Sequence, residues 1–266
     1  FFLGEGIDDP MGQQQLMAYI TDPLLIELYD DSSEAFPSLE MYEAAFTKAF
    51  RYYRAHFPDE TLPRIYTYIS GIDYEMPVKL SDEHLIIGLD NYLGSDYINY
   101  QRLSIPAYQR QRMRPEYIIT DALRMLAEKH LQSEHPEPET LLDFMIYEGK
   151  LSYFLDCLLP HDPDYVKINY SASQQEWMEI NQGQVWMYLL NNELLFSSDL
   201  QMIGKFVGDG PFTSAFSRNS APRAASWVGW QIVREYMRRH PEVTLQELMA
   251  AHDARNILHE SRYRAR

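Results

Sequence analysis

Cysteine and long apolar runs are scarce in this sequence. Cys157 is the one cysteine among 266 residues, so no internal disulfide can form and disulfide-stapled secreted scaffolds are excluded. No apolar stretch reaches the roughly 18 to 20 residues that a bilayer-spanning helix requires. Apolar residues make up 45% of the chain, an ordinary share for a globular protein. We therefore expect a globular chain held together by its apolar core.

Basic side chains are also scarce. Lysine and arginine number 23 against 39 aspartate and glutamate residues, which gives a formal net charge of −16. A surface this negative repels nucleic-acid phosphates and anionic lipid headgroups. The sequence therefore predicts no nucleic-acid partner.

The familiar motifs of enzyme chemistry are missing. The sequence has no glycine-rich phosphate loop, no Gly-x-Ser-x-Gly turn and no Cys-x-x-Cys pair. No two of its eight histidines are four residues apart. His252 and His259 could share a helix face, but seven residues rise by about 10 Å, whereas two nitrogens on one zinc ion lie only about 3 to 4 Å apart. We predict no catalytic residue, no metal site and no cofactor.

The spacing of apolar residues changes along the chain. Residues 38–57 have apolar side chains three and four apart, which predicts a helix, and strands are predicted over 64–70 and 85–90. Further helices are expected over 116–131, 141–158 and 227–239. The pattern favours an α+β fold, mainly α, with a small β-sheet and a helical second half. We expect one domain over 1–266, with possible lobes at 1–135 and 136–266, in which helices 116–131 and 141–158 pack beneath the sheet.

Three pairs of polar residues have the spacing of helix-capping boxes. These are Thr140 with Asp143, Ser173 with Glu176, and Thr244 with Glu247. The segment 208–223 lacks any periodicity and is rich in Gly, Pro, Ser, Phe and Arg. It is interpreted as an ordered functional loop or lid, or alternatively as a plain surface connection.

Several motifs in the same order resemble one known family, that of gliding-motility lipoprotein B. They are IGLDNYLGSDY at 87–97 with Pro106 and Tyr108, LLDFMIYEGK at 141–150, WMY at 186–188, PFT at 211–213, WVGWQIVR at 227–234 and ILHESRY at 257–263. The resemblance implies an exported lipoprotein, anchored in the cell envelope by an N-terminal lipidated cysteine that this sequence does not contain. A chain starting at Phe1, without methionine or leader, is also what a removed export signal would leave.

The same segments resemble, more distantly, a family of predicted zinc peptidases. In that family a His-Glu-x-x-His helix precedes a helix carrying Glu-Gly, which corresponds to Glu148-Gly149 here. Thr120, Asp121 and Arg124 stand where the His, Glu and His would be. Threonine is a weak zinc ligand and arginine cannot lose its proton to become one. The resemblance therefore implies a zincin-like core whose metal motif is lost.

The leading functional hypothesis is a non-catalytic envelope lipoprotein that binds a protein or peptide partner and reaches the membrane only through its lipid anchor. The predicted binding surface lies beside 208–223 and comprises Phe212, Arg223, Trp227 and Trp230, although both tryptophans could instead be core residues. The alternative is a glycan-acting hydrolase that uses paired carboxylates in an aromatic cleft. Its candidate acids are Asp143 and Glu148. A divergent metal site formed by Asp, Glu and one His is a third possibility.

The lost metal site gives one geometric prediction. Thr120, Asp121, Arg124 and Glu128 fall on one face of the predicted helix. A buried glutamate without its metal would need a replacement cation, so we predict that Arg124 forms an ion pair with Glu148. The alternative is local pairing of Arg124 with Asp121 or Glu128, at helical spacings of three and four.

Overall fold

The computed structural model describes residues 9–81, 83–132 and 137–265. In the first half, helices and strands alternate with turns: α1 (Pro10–Thr21), α2 (Pro23–Ala35), α3 (Glu40–His56), β1 (Arg64–Tyr68), β2 (Val78–Ser81), β3 (His84–Gly88), α4 (Ile98–Arg102), α5 (Ala107–Arg110) and α6 (Ile118–Gln132). The second half is helical: α7 (Leu141–Leu158), α8 (Asp164–Lys167), α9 (Ala172–Asn191), α10 (Leu200–Val207), α11 (Ala224–Arg239), α12 (Leu245–Ala250) and α13 (Ala254–Ser261). The predicted α+β class, mainly α, is confirmed.

Capping side chains set the starts of most long helices. The Thr140–Asp143 and Thr244–Glu247 capping boxes are both present, as predicted. The third box is formed by Ser171 with Gln174, so the predicted Ser173–Glu176 pair is wrong by two residues. Ser171 fits better because it stands just before the helix, where its hydroxyl accepts from the Gln174 N–H.

The first two helices were not predicted. Asp9 and Asp22 cap α1 and α2, and each helix has a proline in its first turn. Most large apolar residues of these helices are exposed, with Met11 at 67% and Tyr29 at 62%. Without a buried stripe, periodicity gives no signal for them.

The sheet has three strands in the order β1-β3-β2. β3 pairs parallel with β1, where Tyr66 lies opposite Ile86, and antiparallel with β2, where Val78 lies opposite Ile87. Four of the five β3 residues are buried, which suits a central strand. Both predicted strands are confirmed, although each ends about two residues earlier than predicted. β2 was missed because four residues are too few to display an alternation.

Helix α6 contacts both the sheet, through β2 and β3, and helix α7. The predicted packing of these helices with the sheet is thereby confirmed. The main apolar cluster centres on α7 and α11, and a second cluster lies between the sheet, α3 and α6. Partly buried Phe50, Ile119 and Tyr165 pack against both clusters.

Two glycines allow α7 and α11 to approach closely. A Cβ atom built on Gly229 would lie 1.9 Å from the Met145 carbonyl oxygen, and one on Gly149 would lie 2.5 Å from the Gly229 oxygen. No side chain can occupy such a gap, so both glycines are needed where the helices cross. This contact gives Gly149 of the Glu-Gly motif a packing role.

Candidate functional site

A cavity of about 490 Å³ opens beside the polar face of α6. Its wall is formed by the 74–78 segment leading into β2, the residues after β3, α5 and the start of the 208–223 segment. We call it the α6 cavity. Its lining includes Tyr74, Glu75, Met76, Asn91, Tyr92, Gln109, Arg112, Asp121, Arg124, Met125, Glu128, Asn169 and Asp209.

The predicted polar face of α6 does border this cavity, with one exception. Asp121, Arg124 and Glu128 line it. Thr120 does not, because its side chain is buried and its hydroxyl donates to the Tyr117 carbonyl at 3.0 Å. Thr120 therefore serves the helix backbone, and the prediction that it shares the cavity face is wrong.

Each carboxylate oxygen of Asp121 accepts a hydrogen bond from a neutral donor. The Tyr92 hydroxyl donates to one carboxylate oxygen and the Asn169 amide to the other, each at 3.0 Å. Burial raises the pKa of Asp121, and these two hydrogen bonds together with the Arg112 and Arg124 charges oppose that rise. Burial and the neighbouring Asp121 charge likewise hold the Tyr92 pKa well above its usual value. Each carboxylate oxygen of Asp121 therefore already accepts one hydrogen bond from within the protein.

Arg124 occupies the centre of the polar face. Its Nη2 atom donates to both carboxylate oxygens of Glu148, at 2.9 and 2.8 Å, and the predicted ion pair is confirmed. The Nε atom also lies 3.4 Å from Glu128, so the local alternative holds at the same time. Although burial lowers the Arg124 pKa, the Glu148 and Glu128 charges outweigh it and raise the pKa above its usual value. Burial raises the pKa of Glu128.

A second ion-pair group closes the other edge of the cavity. Arg112 lies 2.6 Å from Asp209, and the Arg223 Nε atom lies 3.4 Å from the same carboxylate. Although burial raises the pKa of Asp209, the two arginines lower it below its usual range. Arg223 also donates to the Ile168 carbonyl and has a left-handed backbone with φ of 48°. These contacts fix both ends of the 208–223 segment against the body of the protein.

The predicted binding surface beside this segment is corrected by the structure. Trp227 and Trp230 are 3% and 0% exposed and belong to the main core, so the core alternative holds. Their indole N–H groups donate to Gln182 and Asp156. Arg223 is buried, and Phe212 is half-buried and does not line the α6 cavity. The spacing of Trp227 and Trp230 in the sequence does not distinguish a buried aromatic helix face from an exposed one.

In the parts of the chain that the structure describes, no three His, Cys, Asp or Glu side chains are grouped so that they could hold a metal ion. Across the same residues, no helix has both the length and the apolar character needed to cross a bilayer.

Several residues of the α6 cavity were not predicted. Tyr92, Asn169, Arg112 and Asp209 come from four separate segments, and no spacing in the sequence connects them with Asp121. Asn169 has a left-handed backbone with φ of 55°, a conformation that asparagine tolerates better than most residues. Tyr92 lies within the IGLDNYLGSDY motif, so its part in the family resemblance was the available signal.

Comparison with known proteins gives one match. The model of a family described as gliding motility protein GldB matches residues 3–265. No curated protein and no solved structure matches the chain. The family match spans nearly the whole sequence, including every segment that contributes to the α6 cavity.

Proposed function

Because the chain belongs to the family of gliding motility protein GldB, whose members are envelope lipoproteins, we propose that it is a non-catalytic component of an envelope assembly. In this proposal the α6 cavity binds a peptide segment of another envelope protein. Membrane attachment is through a lipid anchor outside the described residues.

The observation that carries the proposal is the ion pair in which the Arg124 Nη2 atom donates to both carboxylate oxygens of Glu148. Both oxygens of Glu148 accept from this charged donor, which competes for them with a substrate or a metal ion. Asp121 accepts from the neutral donors Tyr92 and Asn169, and Asp209 pairs with Arg112. A cavity whose charged groups satisfy one another suits recognition by shape and hydrogen bonding better than chemistry.

We also propose, from the distant likeness to zinc peptidases, that α6 descends from a metal-binding helix. If α6 once carried metal ligands, Arg124 now supplies the positive charge that Glu148 would otherwise lack. The short distances in the pair support this exchange, since an unpaired buried carboxylate is costly. The zincin-like core stays part of this proposal.

The glycan-hydrolase alternative has weaker support. Asp143 accepts from the Thr140 N–H and hydroxyl as part of a capping box, at 2.8 and 2.7 Å. Glu148 lies five residues further along the same helix and is bound by Arg124. Five residues correspond to roughly 140° around a helix, so the two acids diverge and cannot flank one glycosidic bond.

The rim of the α6 cavity offers an anchor for a partner. Met76 lines the cavity while 55% of it is exposed. Exposed methionines adapt to irregular apolar surfaces and are frequent at protein-binding sites. Glu75 beside it and Arg112 across the cavity would add polar contacts to the backbone of an extended peptide.

The test is site-specific photo-crosslinking of the full-length lipoprotein in its own cells. A photoreactive residue replaces Met76 in one strain and Met187 in a control strain. Met187 is similarly exposed, at 52%, but lies on α9 away from the cavity. We expect a discrete protein adduct from position 76 that is absent from position 187. The proposal fails if position 76 gives no protein adduct, or if both positions give the same adducts.

A further inference from the structure

A second cavity, of about 840 Å³, lies between α9, α11 and the segment after α13. We call it the arginine cavity. Five arginines line it, namely Arg234, Arg238, Arg239, Arg262 and Arg264. Among the residues that the structure describes, Glu235 is the only acidic one in the lining. This is unusual in a chain with a net charge of −16 and 23 basic residues.

The cavity wall on α11 is one face of the helix. Gln231, Arg234, Glu235, Arg238 and Arg239 follow the spacing of three and four that aligns side chains along a helix. Helix α11 is therefore amphipathic: one side packs into the apolar core, and the side that faces the cavity is basic.

The arginines of α11 are only partly neutralised. Arg234 lies 2.6 Å from Asp156 and 2.6 Å from Asp164, and these contacts hold its guanidinium in place against the Trp230 ring. Arg238 and Arg239 share the single carboxylate of Glu235, at 2.7 and 2.8 Å. One positive charge therefore remains on this pair.

The arginines after α13 add to that surplus. Arg262 and Arg264 are exposed, and among the described residues no carboxylate lies within ion-pair distance of either guanidinium. The lining therefore presents about three uncompensated positive charges around one concave space, as expected for an anion-binding cleft that concentrates the local field.

Two buried donors in the lining also lack partners. Neither the Gln231 Nε2 atom nor the Tyr263 hydroxyl forms a hydrogen bond within the described part of the chain, and both atoms are shielded from solvent. Leaving such groups unpaired costs free energy, so a ligand that offers oxygen acceptors would gain from satisfying them. This observation is independent of the charge surplus and indicates the same type of ligand.

We propose that the arginine cavity binds a phosphate-bearing ligand. Phosphate oxygens match the forked donors of arginine, and a dianionic group fits a surplus of several charges better than one carboxylate does. Gln231 and Tyr263 would donate to further oxygens of the ligand after a turn of their side chains, because solvent does not reach the two donor atoms as they stand. The volume leaves room for the group attached to the phosphate, which could be a phospholipid headgroup or a soluble phosphate ester. The site is separate from the α6 cavity and does not rest on the function proposed for it.

The test titrates the folded chain with inorganic pyrophosphate by isothermal calorimetry at low salt. We expect saturable binding to one site, weakened by added salt because the contacts are ionic. In the variant Arg262→Asn with Arg264→Gln, affinity should fall at least about tenfold, since two charge-assisted contacts are lost. Asparagine is chosen because Arg262 has a left-handed backbone with φ of 47°.

The control is Arg51→Gln with Arg54→Gln, which removes the same charge from exposed positions on α3. Affinity should be unchanged in this variant. Equal weakening in both variants would mean that only net charge matters and would overturn the proposal. So would failure to bind either pyrophosphate or vesicles, or equally tight binding of a poly-glutamate peptide. The unfolding midpoint of each variant confirms that it is folded.

Vesicle sedimentation distinguishes the two sources of phosphate. If vesicles containing phosphatidylglycerol bind the unchanged chain but do not bind the Arg262 and Arg264 variant, the source is a lipid headgroup. If pyrophosphate binds while the vesicles do not, the source is a soluble phosphate. Both outcomes support a phosphate site.

Discussion

Replacing Arg124 by methionine tests the centre of the α6 cavity. Methionine keeps much of the length of arginine but removes the charge and all of the donors. The change leaves Glu148 and Glu128 each without an ion-pair partner on Arg124. These two carboxylates repel each other, and this repulsion is one reason why the pKa of Glu128 is raised.

The magnitude follows from the burial of the pair. Breaking a fully buried ion pair by removing one partner costs about 3 to 5 kcal/mol. Both side chains here keep 20% of their exposure, so solvent offsets part of the cost. We expect Arg124→Met to lower the free energy of unfolding by about 2 to 4 kcal/mol. Glu148→Gln should cost only about 1 to 2 kcal/mol, since Arg124 retains Glu128.

The assay is a double-mutant cycle measured by urea unfolding. The combined Arg124→Met and Glu148→Gln variant should be more stable than the sum of the single effects, by at least about 1 kcal/mol. We also predict that Arg124→Met loses more stability than Glu148→Gln. Removing the arginine leaves two carboxylates without a partner, whereas removing the Glu148 charge leaves none.

The pH dependence gives a second check on the same variant. Arg124 holds the pKa of Glu128 down, so its removal raises that pKa further above the unfolded value. A group whose folded-state pKa is raised adds stability at low pH and loses it as pH rises. The deficit of Arg124→Met should therefore shrink as the pH falls from neutral toward about 4.3, the unperturbed pKa of glutamate. Additive single effects, or a deficit that grows on acidification, would refute this account of the pair.

Three further predictions concern the rest of the molecule. Gly229→Ala should lower the free energy of unfolding by at least about 3 kcal/mol, because its Cβ would meet the Met145 carbonyl oxygen at 1.9 Å. Gly204→Ala, whose Cβ would meet nothing within 4 Å, should raise that free energy by up to about 1 kcal/mol through its higher helix propensity. Chemical denaturation of both variants measures the two changes. Burial lowers the pKa of Lys150 to about 7, so the free energy of unfolding should rise from about pH 7 toward pH 10, and Lys150→Met should abolish that rise. Elemental analysis of the purified chain should find no stoichiometric zinc, and a chelator should leave its unfolding midpoint unchanged.

Local patterns accounted for much of the secondary structure. The helices at 40–56, 118–132 and 141–158 have apolar residues at helical spacing and recognisable ends, and the sequence predicts all three. The first two helices cannot be predicted in this way because their apolar residues are largely exposed. No periodic apolar stripe separates an inner face from an outer face.

The candidate site was predictable only in part. The face of α6 and its partner Glu148 followed from helical geometry together with a family resemblance, and the ion pair is present. Trp227 and Trp230 were placed on a binding surface, whereas they lie in the core. A pair of tryptophans at that spacing is compatible with either location, because their burial depends on which helices pack against α11.

Within the chain, the sequence by itself determined the class of fold, the acidic surface, the main helices and the absence of familiar catalytic motifs. These properties depend on composition and on neighbours a few residues apart. Tertiary structure alone decided which polar residues meet: Tyr92 and Asn169 on Asp121, Arg112 on Asp209, and the arginines of α11 with those after α13. Such contacts join segments far apart in the chain, and they form only when the core fixes how the helices cross.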